Sequence, residues 1–328
     1  MGNGRGDHAS KGTGIHIFYL IYAIHIKIMI LKEVINRRQF LTTGTSSLLL
    51  ISATSEQYKT DNKSMQLAKI GIQLYTLRDL ITSDIRGTLE QLSEIGFKGV
   101  ETAFWPENIT IEKAGKLLKD LGLTVFSSHC EIPVGDNKEK MLRMAEAYQC
   151  KRMVWHGWPE DQRYKTTDGI KELTSIYNEA AAFAKKNGLQ FGLHNHWWEF
   201  HNKIDDRFAY QVLMDGLDKD VFFEIDTYWV KTAGHDPAKI VGQFGKRAPL
   251  LHIKDGPAHY NDDLANDKTP MVPVGKGSQD FPAIVKAAGG NTEWMIVEMD
   301  ILSMDVFQAI QQSYDYLVKN KLAVGNKE

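Results

Sequence analysis

Residues 168–194 read DGIKELTSIYNEAAAFAKKNGLQFGLH. Apolar side chains recur three and four residues apart from Ile170 to Ala184, the spacing of one buried helix face. Gly188 follows, a residue suited to stopping a helix. Residues 189–194 then alternate on the two-residue period of a strand, Phe191 and Leu193 on one side, Gly192 and His194 on the other.

The same unit repeats in both directions. Upstream, strands are expected at 69–75, 98–103, 123–129 and 151–156; downstream, at 220–226, 249–254 and 293–298. Amphipathic helical patterns fill the gaps at 84–95, 110–121, 136–149, 207–216, 236–244 and 280–288, and a last one covers 303–320. Eight strand–helix alternations in one stretch of this length fit an α/β fold, a single-domain (β/α)8 TIM barrel over 69–322. A doubly wound open sheet would carry a Gly-rich phosphate loop after its first strand, and Gln73-Leu-Tyr-Thr-Leu-Arg-Asp79 has none.

Composition narrows the function class. The 328 residues hold 39 Lys+Arg and 41 Asp+Glu, a net charge of −2 that offers no basic surface for nucleic acid. Two cysteines, Cys130 and Cys150, are too few for a disulfide scaffold or a Cys-rich zinc module. The charge is uneven: residues 1–55 carry six basic and two acidic side chains, leaving 33 basic and 39 acidic ones, or −6, for the rest.

Within that basic segment, Arg37-Arg38, Phe40-Leu41 and an apolar run ending at Ala53 resemble a twin-arginine export signal over 29–55. The run from Gly44 to Ala53 is far shorter than the ~20 residues that span a bilayer. No Cys follows it, so no stable membrane anchor is expected. Met29 would make an ordinary signal-peptide start, so 1–28 is expected to be an over-extended N-terminus. Residues 56–68 read as a linker. The expected location is the periplasm, with the cytoplasm as the alternative.

In a parallel barrel, chemistry collects at the C-terminal strand ends. The two-residue period turns His194 and His196 inward from strand five, Asp226 from strand six, His252 and Lys254 from strand seven, and Glu298 and Asp300 from strand eight. Imidazole and carboxylate ligands of this mixture suit Mn²⁺, Zn²⁺, Co²⁺ or Fe²⁺, with Mg²⁺ also a candidate. The same rule brings in Glu101, His129 and His156 as substrate-binding candidates. Ionisable groups closing seven strands at one end are hard to explain as packing, because interiors seldom bury them unpaired. Trp105, Trp155, Trp158, Trp197, Trp198 and Trp229 accumulate at the same end, and indole faces suit the C–H faces of sugars. Trp155 has outward parity and reads as packing; Trp105, Trp197 and Trp229 are the substrate-binding candidates.

These motifs resemble the xylose isomerase-like TIM-barrel superfamily, often described as sugar phosphate isomerases/epimerases. The matching segments are Gly71-Ile-Gln-Leu-Tyr-Thr-Leu-Arg78, Gly96-Phe-Lys-Gly-Val-Glu101, His194-Asn-His-Trp-Trp-Glu-Phe200, Asp226-Thr-Tyr-Trp-Val230, His252-Ile-Lys-Asp255, Val274-Gly-Lys-Gly277 and Val297-Glu-Met-Asp300. The resemblance implies a divalent metal held by strands five to eight, usually through Glu, Asp, His and Glu. By position, Asp226, His252 and Glu298 match, and His194 replaces the first Glu; whether His194 or His196 is that ligand stays open.

The implied chemistry is abstraction of a proton beside a carbonyl, giving a metal-stabilised enediolate of an unphosphorylated sugar or keto-sugar. His196 or Glu298 is the base, with Glu199 a further candidate able to swing in from its loop; Lys254 or His129 would stabilise the oxyanion. Reprotonation gives an isomer or epimer, and loss of a β-substituent gives the alternative, a 3-keto-glycoside lyase or hydratase. A non-catalytic sugar-binding barrel is a second alternative. An apurinic-site endonuclease is disfavoured by the acidic body. The partner expected is a small-molecule sugar, without nucleic acid, and the sequence is compatible with a homo-oligomer.

Overall fold

The computed structural model describes residues 66–325. The expected over-extension (1–28), export signal (29–55) and all of the linker before Gln66 lie outside the described residues.

Eight parallel strands close into a barrel: β1 Lys69–Gln73, β2 Gly99–Thr102, β3 Thr124–Cys130, β4 Arg152–Trp155, β5 Gln190–His194, β6 Phe222–Asp226, β7 Leu250–Ile253 and β8 Trp294–Val297. Each strand neighbours its successor, and β8 pairs with β1 through Ile72↔Val297. The main helices are α1 Ile85–Ile95, α2 Ile111–Asp120, α3 Asn137–Tyr148, α4 Thr167–Lys186, α5 Ala209–Gly216, α6 Pro237–Phe244, α7 Phe281–Ala288 and α8 Val306–Lys319. Among the described residues no helix is long and apolar enough to cross a membrane.

The helices form where their apolar stripes can meet the sheet. In α1, Leu89, Leu92 and Ile95 are buried on one face, each large side chain contributing about 1.5–3 kcal/mol. The Asp84 side chain accepts the Gly87 N–H at its start. Gly122 and Gly188 follow α2 and α4 with φ of +69° and +70°, a conformation that glycine adopts without a β-carbon penalty.

Alternation fills the barrel in two directions. Ile70, Ile72, Phe191, Leu193, Phe223, Ile225, Leu251, Ile253, Met295 and Val297 join the helix-facing core. Phe126, Val154, Phe222, Leu250 and Ile296 form a separate buried cluster, with Trp294 packed against it. These are the inward positions at the lower end of the strands. Phe126 stacks on Trp294 with centroids 4.1 Å apart. Gly71 and Gly99 make room for that pair, since a β-carbon at either position would collide with one of the two rings.

One irregularity positions the site. Val100 pairs with Val125, but Glu101 pairs with Ser127, so Phe126 is an extra residue on β3. Such a bulge reverses the alternation beyond it. Ser127 and His129 therefore face the interior although Phe126 does too.

Candidate active site

The upper half of the interior is polar and buried. Gln73, Glu101, Ser127, His129, His194, Glu224, Asp226, His252, Lys254 and Glu298 are all buried. Register sets them at matching heights: Gln73 beside Glu101, His194 beside Glu224 and Asp226 beside His252.

A lower tier is built around two carboxylates. Glu101 Oε1 accepts Gln73 Nε2 at 2.7 Å and lies 2.7 Å from His252 Nε2, while Ser127 donates to its other oxygen. Glu224 Oε1 lies 2.7 Å from His129 Nε2, 3.0 Å from His252 Nε2 and 3.2 Å from His194 Nδ1. The upper tier centres on Lys254. Its ammonium stands 3.1 Å from Asp226 Oδ2, 2.9 Å from Glu298 Oε2 and 2.9 Å from Asp300 Oδ2. His252 joins the tiers, because its Nδ1 is 2.6 Å from Glu298 Oε2. Asp226 does double service, its Oδ1 capping the short helix Thr227–Thr232 by accepting the N–H groups of Tyr228 and Trp229.

Burial and pairing divide the protonation states. Burial pushes the Glu101 carboxyl up to about 7, the nearby Glu224 adding to the effect. Burial likewise raises Asp226 to about 6 against the pull of Lys254. Glu298 goes the other way: burial opposes its charge, but Lys254 and His252 outweigh it and hold the carboxyl well below its usual range. Burial would also discharge Lys254 and His252, yet surrounding carboxylates keep both charged, well above their ordinary values. His194 and His196 are driven well down by burial and neighbouring positive groups, so both are neutral.

Above this floor opens a cavity of about 680 Å³, lined by His129, His156, His194, His196, Trp197, Trp229, Lys254, Glu298 and Asp300 among others. His196 stacks on the buried Trp198 ring, centroids 4.5 Å apart and 10° between planes. The structure thus brings His129, His156, His194, His196, Lys254, Glu298, Trp197 and Trp229 to one space.

Five expected site residues stand apart from that lining: Asp226 and His252 are buried in the floor beneath it, and Glu101, Trp105 and Glu199 depart from their expected roles. Glu101 was expected to bind substrate, but it lies beneath His252, fully enclosed by its Gln73, Ser127 and His252 contacts. Trp105 is drawn away by its own hydrogen bond, the indole N–H donating to Tyr148 Oη at 2.7 Å. Glu199, expected to swing in from a loop, is instead buried in the short helix Trp198–His201, where Oε2 accepts the His196 N–H at 2.9 Å. Burial raises its carboxyl to about 8, so it carries a proton at neutral pH.

Sequence reading missed Glu224 and Gln73. Both share the inward parity of Asp226 and Gly71, so the two-residue period could have found them. Asp255 has a different role: its carboxylate accepts the N–H groups of Gly256, Gly275, Gly277 and Gln279, which folds the Val274–Gly277 loop.

His194, Asp226, His252 and Glu298 each offer one ligand atom, all within 4.8 Å of one another. The donor set suits a divalent ion of intermediate hardness. Asp226 Oδ2 is buried with the Lys254 ammonium as its neighbour and makes no further hydrogen bond, which leaves a lone pair available. The residues fit such an ion once His252 gives up the proton that its carboxylate neighbours now hold there, and the ion would share Asp226 and Glu298 with the Lys254 ammonium.

Residues 89–319 match the family model for the xylose isomerase-like TIM barrel. No curated protein matches the chain. Solved structures show the same architecture. A sugar phosphate isomerase/epimerase from Parabacteroides distasonis ATCC 8503 is 22% identical, with 81% of this chain and 99% of that chain covered and a TM-score of 0.63. An L-ribulose 3-epimerase is 17% identical over 78% of this chain and 95% of its own, with a TM-score of 0.59. An IOLI protein with a binding zinc atom is 15% identical over 76% and 97%, with a TM-score of 0.58. At these identities the likeness is one of fold.

Proposed function

The chain belongs to the xylose isomerase-like TIM-barrel family, and from that premise we propose that it is a divalent-metal-dependent isomerase or epimerase of an unphosphorylated sugar or keto-sugar. The observation that carries the reading is the convergence of His194, Asp226, His252 and Glu298 within 4.8 Å at the floor of a cavity. A bound ion would be held by these four and would polarise a substrate carbonyl, acidifying the neighbouring C–H.

The chain's own residues supply proton transfer. His196 lines the cavity as a neutral imidazole, and its Trp198 stack fixes the ring plane. It is the base that removes the proton beside the carbonyl. Glu298, kept ionised by Lys254 and His252, is the second group able to hold a proton at the reacting carbon. Lys254, kept protonated, donates to the oxygen that gains negative charge. Trp197 and Trp229 offer apolar faces to a sugar ring while the charged groups below fix its polar edge.

The preference for unphosphorylated sugars is supported by the twin-arginine-like segment, because an exported enzyme meets few sugar phosphates. Incubation of the Mn²⁺-loaded protein with free ketoses in D₂O tests the reading. Deuterium at the carbon beside the carbonyl, with formation of the epimer or isomer, is expected. Release of an aglycone from 3-keto-glucosides without epimer would replace the isomerase by a lyase. Absence of exchange and of a metal-dependent rise in melting temperature would leave a sugar-binding barrel.

A further inference from the structure

Among the described residues, the large exposed aromatic side chains are Tyr75, Phe104, Trp158 and Tyr260, at 37%, 61%, 46% and 42% exposure. All four line the cavity. They come from four separate segments, following β1, β2, β4 and β7 respectively, so no single packing cluster accounts for them. Exposed apolar surface concentrated around one opening marks a contact site.

Each has a polar neighbour, although Trp158 also meets the Trp197 and Trp198 rings. Phe104 lies edge-on to His156 with centroids 5.4 Å apart, and Trp158 is 5.6 Å from His196. Tyr260 has one face covered by His201 at 4.1 Å, and Tyr75 has the Arg78 guanidinium 4.2 Å from its ring. Aromatic faces interleaved with hydrogen-bonding groups match a ring that is apolar in its plane and polar at its edge.

Size points the same way. At about 30 Å³ for each water-sized group, the cavity of about 680 Å³ holds roughly twenty such groups. A single hexose, with roughly a dozen non-hydrogen atoms, fills about half of it. The floor beside Lys254 and Glu298 takes one ring, which leaves the mouth for another.

We propose that the mouth is a second subsite, formed by Phe104, Trp158 and Tyr260, and that the substrate is a glycoside of a keto-sugar, whose ring carbonyl lies at the floor and whose second ring presents an apolar face at the mouth. This rests on the sugar reading of the floor and extends it from a monosaccharide to a two-ring ligand. The second ring is either another sugar or an aromatic aglycone, which share the same stacking chemistry.

Calorimetric titration of the full chain with the methyl glycosides, phenyl glycosides and disaccharides of glucose, galactose, mannose and xylose tests the subsite. At least one two-ring ligand is expected to bind about tenfold tighter than its methyl glycoside. A preference for phenyl glycosides identifies an aromatic aglycone, and one for disaccharides a second sugar. Phe104→Ala and Tyr260→Ala should each reduce that advantage by about two- to tenfold while leaving methyl-glycoside affinity unchanged. Equal affinities for one-ring and two-ring ligands would overturn the subsite and leave the sugar reading standing. Failure of every glycoside to bind would overturn both. A Phe104-dependent dimer in light scattering, without a two-ring preference, would assign the rim to self-association and also overturn the subsite.

Discussion

Replacing Glu199 by glutamine tests the buried acid that supports His196 from behind the site. The carboxyl is buried in the short helix after β5 and accepts the His196 N–H at 2.9 Å. Burial lifts its pKa from 4.5 to about 8. The folded state therefore holds a proton that the unfolded chain releases above about pH 4.5. Stability is fully present below that pH and is lost as pH rises through 8. At about 1.36 kcal/mol per pH unit, the loss is below about 1 kcal/mol at pH 5, about 3 kcal/mol at pH 7, and approaches about 5 kcal/mol above pH 8. Glutamine keeps an acceptor for the His196 amide and cannot ionise. Urea unfolding of the two proteins at pH 5, 7 and 8.5 should give curves that nearly coincide in acid and separate with rising pH, the variant becoming the more stable. Parallel pH profiles would refute the buried, protonated Glu199.

Four further outcomes are expected. Asp226→Asn should lose the Mn²⁺-dependent rise in melting temperature while keeping the cap on Tyr228 and Trp229, and His252→Ala should lose it too; a metal-dependent rise retained in both would remove these residues from the ligand set. Glu101→Gln should weaken metal affinity about 10- to 100-fold, because Glu101 Oε1 orients His252 through Nε2 at 2.7 Å; isothermal titration with Mn²⁺ and Zn²⁺ measures it. Gly99→Ala should destabilise by about 1–3 kcal/mol in chemical denaturation, because the new methyl collides with Trp294. Cys130 and Cys150 are buried, burial pushing the Cys150 thiol up to about 12 and Cys130 higher, so neither should react with a thiol reagent at pH 8 until the protein is unfolded.

Local periodicity was enough to place every barrel strand within about two residues of its position, because each strand must bury one face against helices and the other inside the barrel. The same two-residue period brought His194, Asp226, His252 and Glu298 to one rim, and could have added Glu224. Helix stops at Gly122 and Gly188 were equally legible, since a left-handed turn is a local demand on one residue. Long-range contacts decided the rest. His129 faces inward through a bulge at Phe126, which exists only in the pairing of β2 with β3. Trp105 leaves the site because Tyr148, 43 residues away, offers its hydroxyl. Glu199 is a buried acid rather than a mobile base because packing around the Trp198–His201 helix removes water from it. Which carboxylates are ionised likewise depends on where Lys254 sits, and burial and charge pairing are properties of the folded chain. The sequence by itself determined the barrel and the rim on which the ionisable groups gather; only the tertiary structure decided their depth, their partners and their charge.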